Sequence, residues 1–256
     1  MKSQLYSNEF VKFVQEIYRT KEFIPLHAPC FGDKERNYIL DTLDSTYVSS
    51  VGKYVDIFEQ KIAEYTGSKY AIACVNGTAA IQVSLRLAGV EPGDEVITTP
   101  MTFPATANVI LLQKMKPVLV DIEPGTLLID PKKIEEKITP RTRAIIPVHF
   151  AGHPCDMRAI NDLAEKYKLL VIEDAAHALE TKYKGEKIGN MKNTTSFSFY
   201  ANKNITTGEG GMVVTNDDEL AKQFHMMRLQ GISRDAWKRY GKSGYTHWEQ
   251  QTAGHK

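Results

Sequence analysis

Three short stretches of this sequence carry side chains that could serve one piece of chemistry. Asn76-Gly77-Thr78-Ala79-Ala80 opens a helical pattern. A Gly-Thr turn at a helix N-terminus offers unpaired backbone N–H groups, a hydroxyl and the positive end of the helix dipole, which together seat a phosphate. The plainer reading is that Asn76 or Thr78 caps the helix, and for this stretch alone that reading is preferred. Asp174, in Ile172-Glu173-Asp174-Ala175-Ala176-His177, ends an apolar run. A carboxylate there is costly to bury unless it meets a cation or hydrogen-bond donors. It either caps the next helix or faces a protonated ring nitrogen. Ser198 and Lys203 precede the glycine-rich Gly208-Glu209-Gly210-Gly211. A lysine beside such a turn is usually a solvated surface residue.

Taken singly, none of the three persuades. Together, phosphate donors, a carboxylate for a ring nitrogen and an amine are what pyridoxal phosphate (PLP) requires of its protein. In that set Lys203 supplies the amine that forms the Schiff base and later shuttles the proton at the substrate carbon. Asp174 keeps the pyridine nitrogen protonated, so that the ring can take up electrons.

The elements that must position these residues show in the hydropathy pattern. Short apolar, β-branched runs lie at 70–75, 95–99, 117–122, 143–149, 169–173, 195–200 and 211–215. Most are apolar throughout rather than alternating, as expected of strands covered on both faces. Helical patterns sit between them near 78–89, 105–114, 131–138 and 156–168. This is α/β alternation, predicting a mostly parallel seven-stranded sheet flanked by helices. The last two runs are too close for a helical crossover, so one of them is expected to be antiparallel. Upstream, Ser7 is expected to cap a first helix, and helices near 33–45 and 54–66 follow, the second closed by Gly67. Another helix starts at Asp217 and reaches Gln230. In an open α/β sheet the ligand sits beyond the carboxyl ends of the strands, where all three stretches fall.

Composition bounds the partners. The chain has 256 residues and a formal net charge of +1, with no basic stripe or acidic tail. That argues against nucleic acid or a charged membrane as the main partner. Three scattered cysteines, with no C-x-x-C pair, fit a reducing cytoplasm and give no sign of a zinc site. No apolar stretch approaches the ~20 residues that span a bilayer, and Met1-Lys2-Ser3-Gln4-Leu5 lacks the apolar core of a signal peptide.

Several stretches resemble signatures of the DegT/StrS sugar aminotransferases. They are Asn76-Gly77-Thr78-Ala79-Ala80, Gly93-Asp94-Glu95-Val96-Ile97-Thr98-Thr99-Pro100 and Glu173-Asp174-Ala175-Ala176-His177. Ser196-Phe197-Ser198-Phe199-Tyr200-Ala201-Asn202-Lys203, followed by Gly208-Glu209-Gly210-Gly211, completes the series. Each is weak alone; their order, from about residue 25 to 230, is a strong signal. The resemblance implies the large domain of the fold type I PLP-dependent transferases. It implies Lys203 as the Schiff-base lysine and Asp174 as the partner of the pyridine nitrogen. His177 would lie near the ring hydroxyl, and Gly77, Thr78, Ala79 and Ser198 would hold the phosphate. Phe103 matches the aromatic that stacks on the ring, although ordinary core packing is the simpler account of it. A narrower likeness of 45–53 and Pro25-Leu26-His27 is to the legionaminic-acid-type subgroup. Those enzymes aminate the 4-keto carbon of a nucleotide-linked deoxy-sugar, with L-glutamate as donor. Tyr47 and Ser49 would then touch substrate, and a homodimer with shared active sites is expected.

The family continues into a smaller C-terminal domain beyond Lys256, so this chain reads as a fragment of a longer protein. The expected division is 1–30 as helix and extended segment, 31–230 as the PLP-binding domain, and 231–256 as the start of a linker. A sugar dehydratase of the same fold is the near rival, but relatives with that chemistry replace the lysine. A cysteine desulfurase or aldolase would share the lysine without the Gly208-Glu209-Gly210-Gly211 stretch. A catalytically silent interaction domain is the rival of another class. His149 and His153 are read as a loop after a strand, where substrate contact is open and a metal improbable.

Overall fold

The computed structural model describes residues 2–25, 27–50, 52–232 and 252–254. All seven apolar runs become strands: β1 (Tyr70–Cys74), β2 (Glu95–Thr98), β3 (Lys116–Leu119), β4 (Thr142–Ile145) and β5 (Leu170–Asp174) come first. A two-stranded hairpin, β6 (Lys182–Tyr183) and β7 (Glu186–Lys187), precedes β8 (Thr194–Ser198) and β9 (Gly211–Thr215). The hairpin was not anticipated. Its turn, Lys184 at φ 52° and Gly185 at φ 90°, has the paired left-handed conformation of tight hairpins.

The seven strands form one sheet in the order β1-β9-β8-β5-β4-β2-β3. From β8 across to β3 every pairing is parallel, while β9 runs antiparallel to both its neighbours. The expectation of one antiparallel strand among the last two therefore holds, and β9 is that strand. The run 143–149 does not remain one strand: β4 ends at Ile145, and Pro147, which has no N–H, cannot extend the ladder. Val148 keeps only an isolated parallel bridge to Asp174.

Among the described residues there are eight helices: α1 (Lys2–Tyr18), α2 (Asp33–Asp44), α3 (Lys53–Thr66), α4 (Gly77–Leu87), α5 (Pro104–Leu112), α6 (Pro131–Lys137), α7 (Met157–Tyr167) and α8 (Asp218–Met227). Gly67 closes α3 at φ 83°, a left-handed cap that glycine reaches without a Cβ penalty. Asp217 caps α8 through the amides of Glu219 and Leu220. Helix α1 begins well before Ser7, so Ser7 lies inside it rather than capping it; a mid-helix serine costs only a fraction of a kcal/mol, roughly half or less. Trp237 and Trp248 lie outside the described residues. Among the described residues no helix is long and apolar enough to cross a membrane.

Side-chain alternation explains why both faces are covered. Ile97, Ile145 and Val171 pack against α6 and α7 with Ile134, Met157 and Ile160. Their neighbours Val96, Ala144 and Ile172 point the other way, toward Ile81, Leu85, Val109 and Ile110 of α4 and α5. Fully burying each such side chain contributes roughly 1.5–3 kcal/mol, which is the main force closing the layers. A buried ion pair between Arg228, just past α8, and Glu59 of α3 also reaches the backbone of Ala73, joining both helices to β1.

Candidate active site

The same alternation decides where Asp174 points. It follows Glu173 on β5 and pairs with Ser196 of β8, so its side chain shares the α4–α5 face with Ile172 and Ser196. Its backbone is held on both sides: its N–H donates to the Pro147 carbonyl at 2.9 Å, and its carbonyl accepts from the His149 N–H at 3.0 Å. The carboxylate is buried, with Oδ2 accepting from the Thr106 hydroxyl at 2.6 Å and Oδ1 from the Ala176 N–H at 3.2 Å. Thr106, in the first turn of α5, is a site residue that the sequence reading missed. Its signal was faint, a threonine just past Phe103-Pro104.

Glu173 points to the opposite face, where it meets His149. Both are fully buried. Glu173 accepts from Asn193 at 2.9 Å, and its other oxygen lies 2.9 Å from His149 Nε2. The Cys155 N–H points at His149 Nδ1 at 3.1 Å, which leaves Nε2 as the nitrogen that donates to Glu173. This corrects the suggestion that His149 might touch substrate: it is a fully paired core residue. The loop reading does hold, since a short 3₁₀ turn, Phe150–Gly152, follows it.

Lys203 sits in the connection between β8 and β9. Backbone bonds tie that connection: the Phe199 N–H to the Gly210 carbonyl at 2.8 Å, the Thr207 N–H to the Phe199 carbonyl at 3.0 Å, and the Lys203 N–H to the Tyr200 carbonyl at 2.9 Å. Gly210 and Gly211 are glycines for reasons of space. A Cβ at Gly211 would collide with the Asn76 backbone, and one at Gly210 with the Thr207 hydroxyl. The end of this connection, at Gly211, therefore lies directly against the start of α4.

Lys203, His177 and Ser198 line one cavity of about 340 Å³, together with His27, Glu180 and Asn202. His27 enters from the extended segment before α2. Partial burial holds the Lys203 amine below the ordinary lysine pKa, while the negative charge of Asp174 works in the opposite direction. His177 sits at the exposed edge, where desolvation and then the Lys203 charge hold its ring below the usual histidine value. Its Nδ1 accepts from the Ala151 N–H at 3.3 Å.

At the other end of the site, Asn76 caps α4. Its side chain takes the Ala79 N–H at 2.9 Å and its carbonyl takes the Ala80 N–H at 3.1 Å. Ala79 is thereby engaged, whereas Gly77 and Thr78 stand where a helix has no internal acceptors for its amides. Gly77 approaches β8 so closely that an added Cβ would lie 2.9 Å from Ser198 Cβ. Phe103, the residue before α5, is 75% exposed, which rules out the core-packing account of it. Tyr47 and Ser49 are exposed and do not line the cavity; the Tyr47 ring instead lies where a Cβ on Gly52 would come within 2.8 Å.

The arrangement fits PLP on its own terms. An amine is partly desolvated in a cavity, a carboxylate is buried at a neighbouring strand end, and a glycine leaves room between a helix N-terminus and a serine. Ser196, on the Asp174 face, also has a buried hydroxyl with no protein partner among the described residues. Comparison with known proteins agrees. Residues 29–254 match the model of the DegT/DnrJ/EryC1/StrS aminotransferase family. The chain belongs to that family. Aminotransferases of this family are PLP-dependent.

A GDP-perosamine synthase of Caulobacter vibrioides is 48% identical over 85% of this chain and 58% of its own length. The spore coat polysaccharide biosynthesis protein SpsC of Bacillus subtilis is 45% identical over 94% of this chain and 61% of its own. Among solved structures, an aminotransferase from Psychrobacter cryohalolentis superimposes with a TM-score of 0.85 at 37% identity, covering 92% of this chain and 60% of that one. The chain thus spans about three-fifths of the length of the curated relatives it matches.

Two consequences are measurable. Gly77→Ala places a methyl group against Ser198 with no space for it, at a cost of roughly 1–3 kcal/mol by overpacking. PLP affinity should fall and the urea midpoint should drop, both readable by titration. For Lys203, a lowered pKa means that the neutral amine is present at lower pH than for a free lysine. The pH profile of amine-selective acylation at Lys203, followed by peptide mapping, should have its midpoint below 10.5. Asp174→Asn removes the opposing negative charge and should move that midpoint lower still.

Proposed function

We propose that this chain is the cofactor-binding part of a PLP-dependent aminotransferase acting on a nucleotide-linked deoxy-sugar. The amino group comes from L-glutamate and goes to the sugar's 4-keto carbon, in the cytoplasm, for surface polysaccharide or nonulosonic acid synthesis. One observation carries the reading: Lys203, partly desolvated, shares a cavity with His177 and Ser198, and Asp174 lies buried at the adjoining strand end. When bound, PLP supplies an electron sink for the pair left behind as a C–H bond at the amine-bearing carbon breaks.

The chain's residues provide the rest. Gly77 and Thr78 present amides and a hydroxyl to the phosphate, with Ser198 opposite them. Phe103 covers a ring face. Asp174 holds the proton on the ring nitrogen. Lys203 is the residue that would hold the cofactor covalently, and its free amine would carry a proton between two carbons, a role that requires the neutral amine that burial favours. His177, held below its ordinary pKa, offers an uncharged donor or acceptor at the cavity edge.

The names of the relatives support the nucleotide-sugar part, one naming GDP-perosamine and the other a spore coat polysaccharide. The stretch 45–53 supports the legionaminic-type sugar, with Tyr47 and Ser49 assigned to the substrate on that resemblance. Exposed Phe10, Phe13 and Ile17 on α1 support a homodimer. The presence of Lys203 speaks against the dehydratase alternative. The test incubates the protein with PLP, L-glutamate and a panel of nucleotide-linked 4-keto sugars. The expected products, read by mass spectrometry, are 2-oxoglutarate and one amino sugar. Dehydrated sugar, or no conversion across the panel by protein that has bound PLP, would count against it.

A further inference from the structure

Thr106 is fully buried and stands in the first turn of α5. A threonine in a helix commonly bonds its hydroxyl back to a carbonyl of the preceding turn. Thr106 does not: its hydroxyl reaches Asp174 Oδ2, on a different element, at 2.6 Å. A second hydroxyl, that of Thr102, lies 2.8 Å from Thr106 Oγ1. Proton counting gives the pair a direction. An ionised carboxylate only accepts, so the single Thr106 proton goes to Asp174, and Thr106 Oγ1 must receive the proton of Thr102. The order is Thr102 to Thr106 to Asp174.

We propose that Thr106, ordered by Thr102, is a positioning residue that locks the orientation of the Asp174 carboxylate. Two points favour this over plain packing. A buried site of this size asks only for an apolar β-branched side chain, and a hydroxyl there is costly unless it is used. The same turn also carries Phe103, so one short segment sets both the ring-covering aromatic and the carboxylate that meets the ring nitrogen. The link to the ring rests on the function proposed above.

The experiment is a double-mutant cycle with Thr106→Val, Asp174→Ala and the pair, with Thr106→Ser as the variant that keeps the hydroxyl. Two readouts are taken: PLP dissociation constants from visible absorbance, and urea midpoints without cofactor. Thr106→Val should weaken PLP binding roughly tenfold or more, the scale of a lost hydrogen bond to a charged group. It should lower the urea midpoint in the Asp174 background, and Thr106→Ser should restore both readings. In the Asp174→Ala background the valine change should leave PLP affinity where it was, an outcome that a merely structural role does not produce. Should the valine variant fail to fold, Thr106→Ala removes the same hydroxyl without adding a methyl group. Equal losses in both backgrounds, or no loss of affinity in protein that binds PLP, overturn this inference alone. A wild-type chain that takes up no PLP defeats the underlying reading, while the cofactor-free urea cycle still decides whether Thr106 and Asp174 are coupled.

Discussion

Lys203→Ala abolishes the visible absorbance of the PLP-loaded protein and, with it, transamination. Two losses combine. The covalent attachment needs an amine at this position, and the proton transfer it carries is worth roughly 10²–10⁴ in rate by itself. The structure explains why the fold should survive. The turn around Lys203 is tied by backbone groups of Phe199, Tyr200, Thr207 and Gly210, and among the described residues no hydrogen bond or ion pair to its side chain contributes. Circular dichroism and the urea midpoint of the variant should match those of the parent protein. A band that persists in Lys203→Ala would mean that another lysine carries the cofactor.

Asp174→Ala produces the second large effect. Its carboxylate is buried at the strand end beside the cavity and accepts from Thr106 and Ala176. Removing a preorganised electrostatic partner of this kind costs roughly 10²–10³ in turnover. The attachment chemistry at Lys203 is untouched, so the visible band should remain while catalysis slows. A stability loss accompanies it, because the Thr106 hydroxyl and the Ala176 N–H lose their acceptor; each buried unpaired group costs about 1–3 kcal/mol. Asp174→Asn separates the two effects. It keeps the shape and an oxygen for Thr106, but not the charge that holds a ring proton, so stability should recover more than turnover. Near-normal turnover in either variant contradicts the assigned role.

What the sequence revealed follows from which features are local. The seven strands were readable because a sheet covered on both faces writes continuous apolar runs, as at Ala71 and Ile72 or Val213 and Val214. Gly67, Asn76 and Asp217 announced their helix boundaries by side-chain chemistry that acts within a few residues. The hairpin at β6 and β7 escaped because two-residue strands carry no period. The pairing of His149 with Glu173 escaped for another reason: a buried polar pair is apolar in position and polar in type, and its partners lie on a loop and a strand far apart in sequence. Thr106 and His27 join the site through contacts across the fold, which no spacing encodes. Phe103 reads in the sequence as the ring-stacking aromatic with core packing as the alternative, and its exposure removes that alternative.

The claim that most depends on this geometry is that one particular amine, among the 23 lysines of the chain, takes the cofactor. Burial holds the pKa of Lys203 below the ordinary lysine value, which favours the neutral amine without fixing it. Reduction of the PLP-loaded protein with borohydride, followed by proteolysis and mass spectrometry, measures this directly. The expected result is a single pyridoxyl adduct at stoichiometric yield on the peptide containing Lys203. An adduct spread over surface lysines, or concentrated on any lysine other than Lys203, would contradict the account.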